Sequence, residues 1–121
     1  MYKELLETAK ESALQAGKIL KKGYGTTFKI DNKVGRNNLV TEFDLLSEKT
    51  IIKNIKSRYP THRFLAEESG HSGSEDKNEI IWVIDPLDGT VNFAHSIPIF
   101  SVSIAAMMNN EIVAGAIYNP M

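Results

Sequence analysis

Two aspartates three positions apart carry the most chemistry in this sequence. They lie in Trp82-Val83-Ile84-Asp85-Pro86-Leu87-Asp88-Gly89-Thr90-Val91-Asn92-Phe93. An apolar run of strand length delivers Asp85 at its end, and Pro86 fixes the backbone direction there. A turn then swings the Asp88 carboxylate back beside it. Two carboxylates held close repel each other unless a cation sits between them. Oxygen donors with no neighbouring His or Cys suit Mg²⁺, Ca²⁺ or Mn²⁺ rather than zinc. Gly89 permits an unusual backbone angle and a close ligand approach. If a helix begins near Thr90, the Gly89 and Thr90 amides form an anion site at its N-terminus. Cation and anion sites side by side are what phosphoryl transfer to water requires. A blander alternative stands beside this one. Asp-Pro and Asp-Gly are common turn dipeptides, and their carboxylates can simply bond local backbone amides.

Other candidates are weaker when read from residue type alone. Glu67-Glu68-Ser69 follows the short apolar stretch Phe64-Leu65-Ala66, and a strand ending there would bring a third carboxylate beside Asp85. An exposed acidic loop explains the same residues. Asp44 follows Thr41 in the spacing of a helix capping box, which accounts for it fully, while a role behind the site is optional. Lys33 and Arg36 occupy a glycine-containing loop where they could meet a phosphate, yet solvated loop charges are the commoner case. His62, His71 and His95 show no ligand spacing and receive no role, and Trp82, Phe64 and Phe100 read as core. No Ser-His-Asp order, Walker A loop or dinucleotide fingerprint is present.

These residues need elements to hold them. Residues 2 to about 22 place Leu5, Leu6, Ala9, Ala13, Ala16, Ile19 and Leu20 at helical steps, stopping at Gly23 and Gly25. Residues 26–38 read as a polar loop or weak hairpin. A second helix runs from the capping box to Pro60, with Leu45, Ile52, Ile55 and Tyr59 on its apolar face and Leu46 and Ile51 beside them. Strands are expected over residues 63–66, 80–84, 100–107 and 112–118, with a glycine- and serine-rich loop at 69–78. The run at 80–84 is apolar throughout, so burial on both faces is expected. Asn109-Asn110 tolerates the left-handed backbone of a tight turn, so the last two strands should pair antiparallel. The fold class is therefore α+β: two amphipathic helices packed on one face of a largely antiparallel sheet.

Composition narrows the function. The 121 residues are 42% apolar and 24% charged, the proportions of an ordinary globular chain. A formal net charge of −1 supplies no field for nucleic acid or an acidic membrane surface, so neither is expected as a partner. Cysteine is absent, which removes disulfides, thiolate metal sites and cysteine nucleophiles. No apolar run approaches the roughly 18 residues of a membrane span. Glu4, Glu7 and Glu11 do not suit a signal peptide, so a cytoplasmic location is expected.

The motifs together resemble the inositol monophosphatase family, the Mg²⁺-dependent, lithium-sensitive sugar phosphatases that include bacterial and archaeal fructose-1,6-bisphosphatases. The stretch from Asp85 to Phe93 carries the likeness. Leu39-Val40-Thr41-Glu42-Phe43-Asp44, Phe64-Leu65-Ala66-Glu67-Glu68-Ser69 and Lys33 agree with it in order and spacing. Ala66 stands where that family usually has glycine. The resemblance implies that Glu67, Asp85, Asp88 and the main-chain oxygen of Leu87 are metal ligands. It implies that Glu67 and Thr90 position and deprotonate the attacking water, and that the Gly89 and Thr90 amides hold the phosphate. Asp44 would orient Thr90 or a water from behind, and Lys33 would lie on a loop closing over the site. Two or three Mg²⁺ per complete site follow, with Mn²⁺ a substitute and Li⁺ an inhibitor.

Members of that family are considerably longer. Their second half holds a Trp-Asp-x-Ala-Ala-Gly segment with a further metal-ligating aspartate, whereas the only tryptophan here is Trp82. Residues 1–121 are thus expected to be the N-terminal, metal- and phosphate-binding half of such a domain, nearly inactive alone. The strand at 112–118 should need a partner, either the remaining half or a second copy, since relatives are commonly dimers. The substrate implied is a small inositol or sugar phosphate, inositol monophosphate first, with fructose 1,6-bisphosphate or 3′-phosphoadenosine 5′-phosphate as alternatives. A non-catalytic metal-binding or interaction module is the rival from another class.

Overall fold

A computed structural model describes residues 2–26, 30–32, 39–73 and 79–121. Lys33, Arg36 and most of the polar segment at 26–38 lie outside the described residues, as does the stretch 74–78. The first helix, α1 (Lys3–Gly23), ends where the sequence pattern placed its end. Two short strands, β1 (Ile30–Asn32) and β2 (Leu39–Thr41), pair antiparallel, and α2 (Glu42–Arg58) follows directly. Thr41 and Asp44 form the expected capping box, and the helix stops short of Pro60.

Among the described residues, the main sheet has five strands in the order β4-β3-β5-β6-β7. They are β3 (Arg63–Ala66), β4 (Gly70–Ser72), β5 (Ile81–Asp88), β6 (Ser101–Met108) and β7 (Glu111–Tyr118). Among the described residues, β3 and β5 run parallel and the other pairs of this sheet are antiparallel. A five-residue helix, α3 (Thr90–Ala94), links β5 towards β6. Asn109 and Asn110 both adopt positive φ, 51° and 65°, as a two-residue hairpin turn requires. The expected α+β layering is present, with α1 lying on β6 and β7, α2 on β5, and the two helices against each other.

The helices cover one face. Phe64, Trp82, Ile84, Val102, Ile104 and Ala106 are buried under α1 residues Ala9, Ala13, Ala16 and Leu20 and α2 residues Ile51 and Ile55. Small side chains along α1 let it sit close to the sheet. A Cβ on Gly17 would run into the ring of Tyr118. At the lower end of β5, the Trp82 indole N–H donates to Nδ1 of His62 at 3.0 Å, and the His62 ring stacks on Tyr59. Burial lowers the His62 pKa below its ordinary 6.5, with nearby Glu79 opposing the shift.

Three expectations need correction. The buried face of α2 is Asp44, Ser47, Glu48, Ile51 and Ile55, while Leu45 and Leu46 are 51% and 45% exposed. The polar members of that face are hydrogen-bonded: Ser47 to the Pro86 carbonyl on β5, Asp44 to the Thr90 hydroxyl on α3, and Glu48 to the Glu68 amide after β3. The strand β5 is not buried on both faces: Trp82 and Ile84 are buried, but Ile81 and Val83 remain partly exposed because both helices lie on the other side. The glycine-rich segment also contains a strand. Positive φ at Gly70 (72°) and Gly73 (96°) brackets β4 and folds it back on β3.

At the far edge, β7 pairs only with β6 among the described strands, and Ile112 and Ile117 are 69% and 78% exposed. No described helix is long and apolar enough to cross a membrane.

Candidate active site at the ends of β3 and β5

Parallel β3 and β5 end side by side, which is where chain ends in a parallel pair present loops to a ligand. Ala66 pairs with Ile84, and the Glu67 amide donates to the Ile84 carbonyl at 3.1 Å, so Glu67 continues the ladder beside Asp85. The third carboxylate is placed by an irregularity. Asp85 pairs with Ser103 and Asp88 with Ser101, so three steps along β5 oppose two along β6. In an unbroken strand, residues three apart face opposite sides. The extra residue restores the parity and brings Asp88 to the side of Asp85. Pro86, which has no N–H to give the ladder, sits at this irregularity. The strand therefore continues past Asp85 to Asp88 rather than ending at it.

The electrostatics report the same convergence. The carboxyl of Asp85 is pushed up to about 6, first by burial, then by the charges of Glu67 and Asp88, with Asp44 adding a smaller push. A backbone N–H from Leu87, 3.3 Å from Asp85 Oδ1, works weakly in the opposite direction. Four carboxylates thus share one end of the sheet. Among the described residues, no group of three is drawn together tightly enough to enclose an ion as it stands. The donor set is oxygen-only, which fits a hard divalent cation, and the mutual repulsion of its members is what such a cation relieves.

Thr90 and Asp44 form the second half of the site. Gly89 caps α3 with φ 95°. A Cβ there would lie 3.0 Å from the Ile99 carbonyl oxygen, so the position is closed to other residues without movement. The Thr90 hydroxyl lies 2.9 Å from Asp44 Oδ2 and 3.1 Å from the Leu87 carbonyl oxygen. Asp44 is 1% exposed, and its Oδ1 accepts from the Thr41 amide at 2.7 Å and the Thr41 hydroxyl at 2.6 Å. The one carboxylate thus completes the capping box of α2 and accepts the Thr90 hydroxyl.

Two contacts went unnoticed in the sequence. Ser47 Oγ donates to the Pro86 carbonyl at 2.8 Å, and Glu48 Oε1 accepts from the Glu68 amide at 2.8 Å. The signal was available: counting back from Ile55 and Ile51 by helical steps leads to Ser47, Glu48 and Asp44.

Fold and site define a class: a layered α+β protein whose carboxylates converge where a parallel strand pair ends, next to a glycine-capped turn. The chain belongs to the inositol monophosphatase family, whose model matches residues 1–121. It is 45% identical over 115 residues to inositol-1-monophosphatase of a Synechocystis strain, covering 95% of this chain and 40% of that protein. To human inositol monophosphatase 2 it is 38% identical over 120 residues, covering 98% and 42%. Among solved structures, the extragenic suppressor protein SuhB of Bartonella henselae superposes with a TM-score of 0.91 at 38% identity, covering 97% of this chain and 45% of that one. A Thermotoga maritima inositol monophosphatase gives 0.87 at 30% identity, covering 97% and 44%. The chain thus spans 40% to 42% of the length of the two curated relatives it matches here.

Proposed function

We propose that the protein built on this chain hydrolyses phosphate monoesters with a divalent cation, inositol monophosphate being the first substrate to test. The observation that carries the proposal is the convergence of Glu67 and Asp88 on Asp85, whose carboxyl is pushed up to about 6 first by burial and then by those two charges. Glu67, Asp85, Asp88 and the Leu87 carbonyl would hold Mg²⁺, or Mn²⁺ in its place. The cation supplies positive charge that draws in the phosphate and acidifies the attacking water.

The remaining work falls to the chain. Thr90 donates its hydroxyl hydrogen bond to Asp44 Oδ2, so its oxygen lone pairs can accept a hydrogen bond from the attacking water, and a proton passed to Thr90 is balanced by its own moving on to Asp44. Glu67, exposed at the end of β3, is the second acceptor for that proton. The amides of Gly89 and Thr90, at the start of α3, would hold the phosphate oxygens. Lys33 belongs to a loop over the site by family pattern alone. Ile112 and Ile117 on β7 await further protein, either the remainder of the domain or a second copy. Cytoplasmic location and lithium inhibition go with this reading.

The test is release of phosphate from inositol monophosphate by the protein at its natural length. Turnover should require Mg²⁺ and fall with added Li⁺, while residues 1–121 alone should show negligible turnover. Mg²⁺-independent activity, or none on any phosphate monoester, would leave a non-catalytic module as the better account. Fructose 1,6-bisphosphate is the second substrate, because an inositol monophosphatase-fructose 1,6 bisphosphatase superposes with a TM-score of 0.80 at 27% identity.

A further inference from the structure

A line of buried polar side chains runs down the sheet-facing side of α2, and each member reaches a different part of the site. Asp44 accepts the Thr90 hydroxyl, Ser47 donates to the Pro86 carbonyl, and Glu48 accepts the Glu68 amide. The last of these has no counterpart in the proton chemistry proposed above. Glu48 is 5% exposed. Burying a carboxylate is costly unless strong hydrogen bonds replace its water, and an apolar side chain would pack against the sheet without that cost. What Glu48 does hold is the peptide group that follows Glu67.

The consequence is geometric. Glu67 is exposed, and the backbone beneath it sets where its carboxylate starts from. That backbone is gripped on both sides. The Glu67 amide donates to Ile84 of β5 at 3.1 Å, and the Glu68 amide donates to Glu48 of α2 at 2.8 Å. One residue earlier on the same helix, Ser47 holds the Pro86 carbonyl between Asp85 and Leu87. A single turn of α2 therefore sets the spacing between the two strand ends that carry the carboxylates.

We infer that Glu48 is a positioning residue that fixes the backbone of Glu67 for cation binding. This rests on the cation-assisted reading proposed above. Groups that orient metal ligands from behind typically change metal affinity about 10- to 100-fold when removed.

The test uses Mn²⁺ alone as the probe, with free ion followed by electron paramagnetic resonance, on the natural-length protein and its Glu48→Ala and Glu48→Gln variants. Hydrogen exchange of the Glu68 amide is followed in parallel. Glu48→Ala should weaken Mn²⁺ binding about 10- to 100-fold at temperatures where it remains folded by circular dichroism. Glu48→Gln keeps an oxygen acceptor and should recover most of that loss. A purely structural Glu48 would lower the melting temperature of the alanine variant and leave its Mn²⁺ affinity within about twofold, which overturns the inference. An unprotected Glu68 amide in the unmodified protein overturns it as well, and decides the question even if the alanine variant does not fold. The absence of Mn²⁺ binding by the unmodified protein would instead overturn the cation-assisted reading, and this inference with it.

Discussion

The Thr90 hydroxyl donates to Oδ2 of Asp44 across 2.9 Å, joining positions 46 apart in the chain. The other oxygen of that carboxylate is occupied by the amide and hydroxyl of Thr41. A helix cap at the start of α2 thereby becomes the support of a residue at the start of α3. A hydroxyl has one proton to give. The carboxylate is the stronger and nearer acceptor, with the Leu87 carbonyl 3.1 Å away as the weaker one.

Replacing Thr90 tests this arrangement. Thr90→Ala is expected to lower kcat about 10²- to 10⁴-fold, the range associated with a positioned proton acceptor. KM should change little, because the phosphate is assigned to backbone amides that the substitution leaves in place. Stability should fall by about 1–3 kcal/mol, because Asp44 Oδ2 loses its partner while buried. Thr90→Ser should retain most of both. Steady-state kinetics and urea denaturation supply the readouts, and a kcat for the alanine variant close to that of the unmodified protein contradicts the assignment.

The raised Asp85 carboxyl makes a signed statement about pH. Its ordinary value is 3.8 and its folded value about 6, so between them the folded chain holds a proton that the unfolded chain releases. Stability from this group is fully present below about 3.8 and is lost as pH rises through about 6. In EDTA, the melting temperature of the unmodified protein minus that of Asp85→Asn should therefore decline from pH 4 to pH 7. With saturating Mg²⁺ the trend should reverse, because the cation binds the ionised form and its stabilisation fades below about pH 6. Calorimetry across that range in both conditions checks the pair of slopes. Parallel slopes would mean that the cation does not meet Asp85.

Gly89→Ala probes the turn between the two halves of the site. At φ 95° a side chain is strained, and the new Cβ would stand 3.0 Å from the Ile99 oxygen and 3.2 Å from Phe100 Cβ. The expected loss is about 1–3 kcal/mol in denaturation, with weaker competitive inhibition by inorganic phosphate as the α3 amides shift. Unchanged phosphate inhibition in a destabilised variant would separate the turn from anion binding.

Much of this architecture is legible along the chain. The apolar spacing of α1, the Thr41–Asp44 capping box, the halt before Pro60 and the Asn109-Asn110 turn are all set within a few residues of themselves. So is the order of residues from Asp85 to Phe93, which points to a cation and an anion side by side. These features depend on steric and hydrogen-bonding preferences that act over one or two turns of chain.

The inward side of α2 follows from the helical spacing of Ile51 and Ile55, but what its polar members bind is not of that kind. Leu45 and Leu46 are as apolar as any core residue, yet Asp44, Ser47 and Glu48 are the side chains turned to the sheet. Their hydrogen-bond partners lie on β5, α3 and the turn after β3, remote in sequence and absent from any local pattern. The same holds for the parity of Asp85 and Asp88, which depends on how β6 pairs with β5. The residues able to do the chemistry, and most of the elements that carry them, can be read from residue type and spacing along the chain. Which carboxylates meet, and what the polar face of α2 binds, came with the folded chain, because hydrogen bonding between distant segments leaves no local trace.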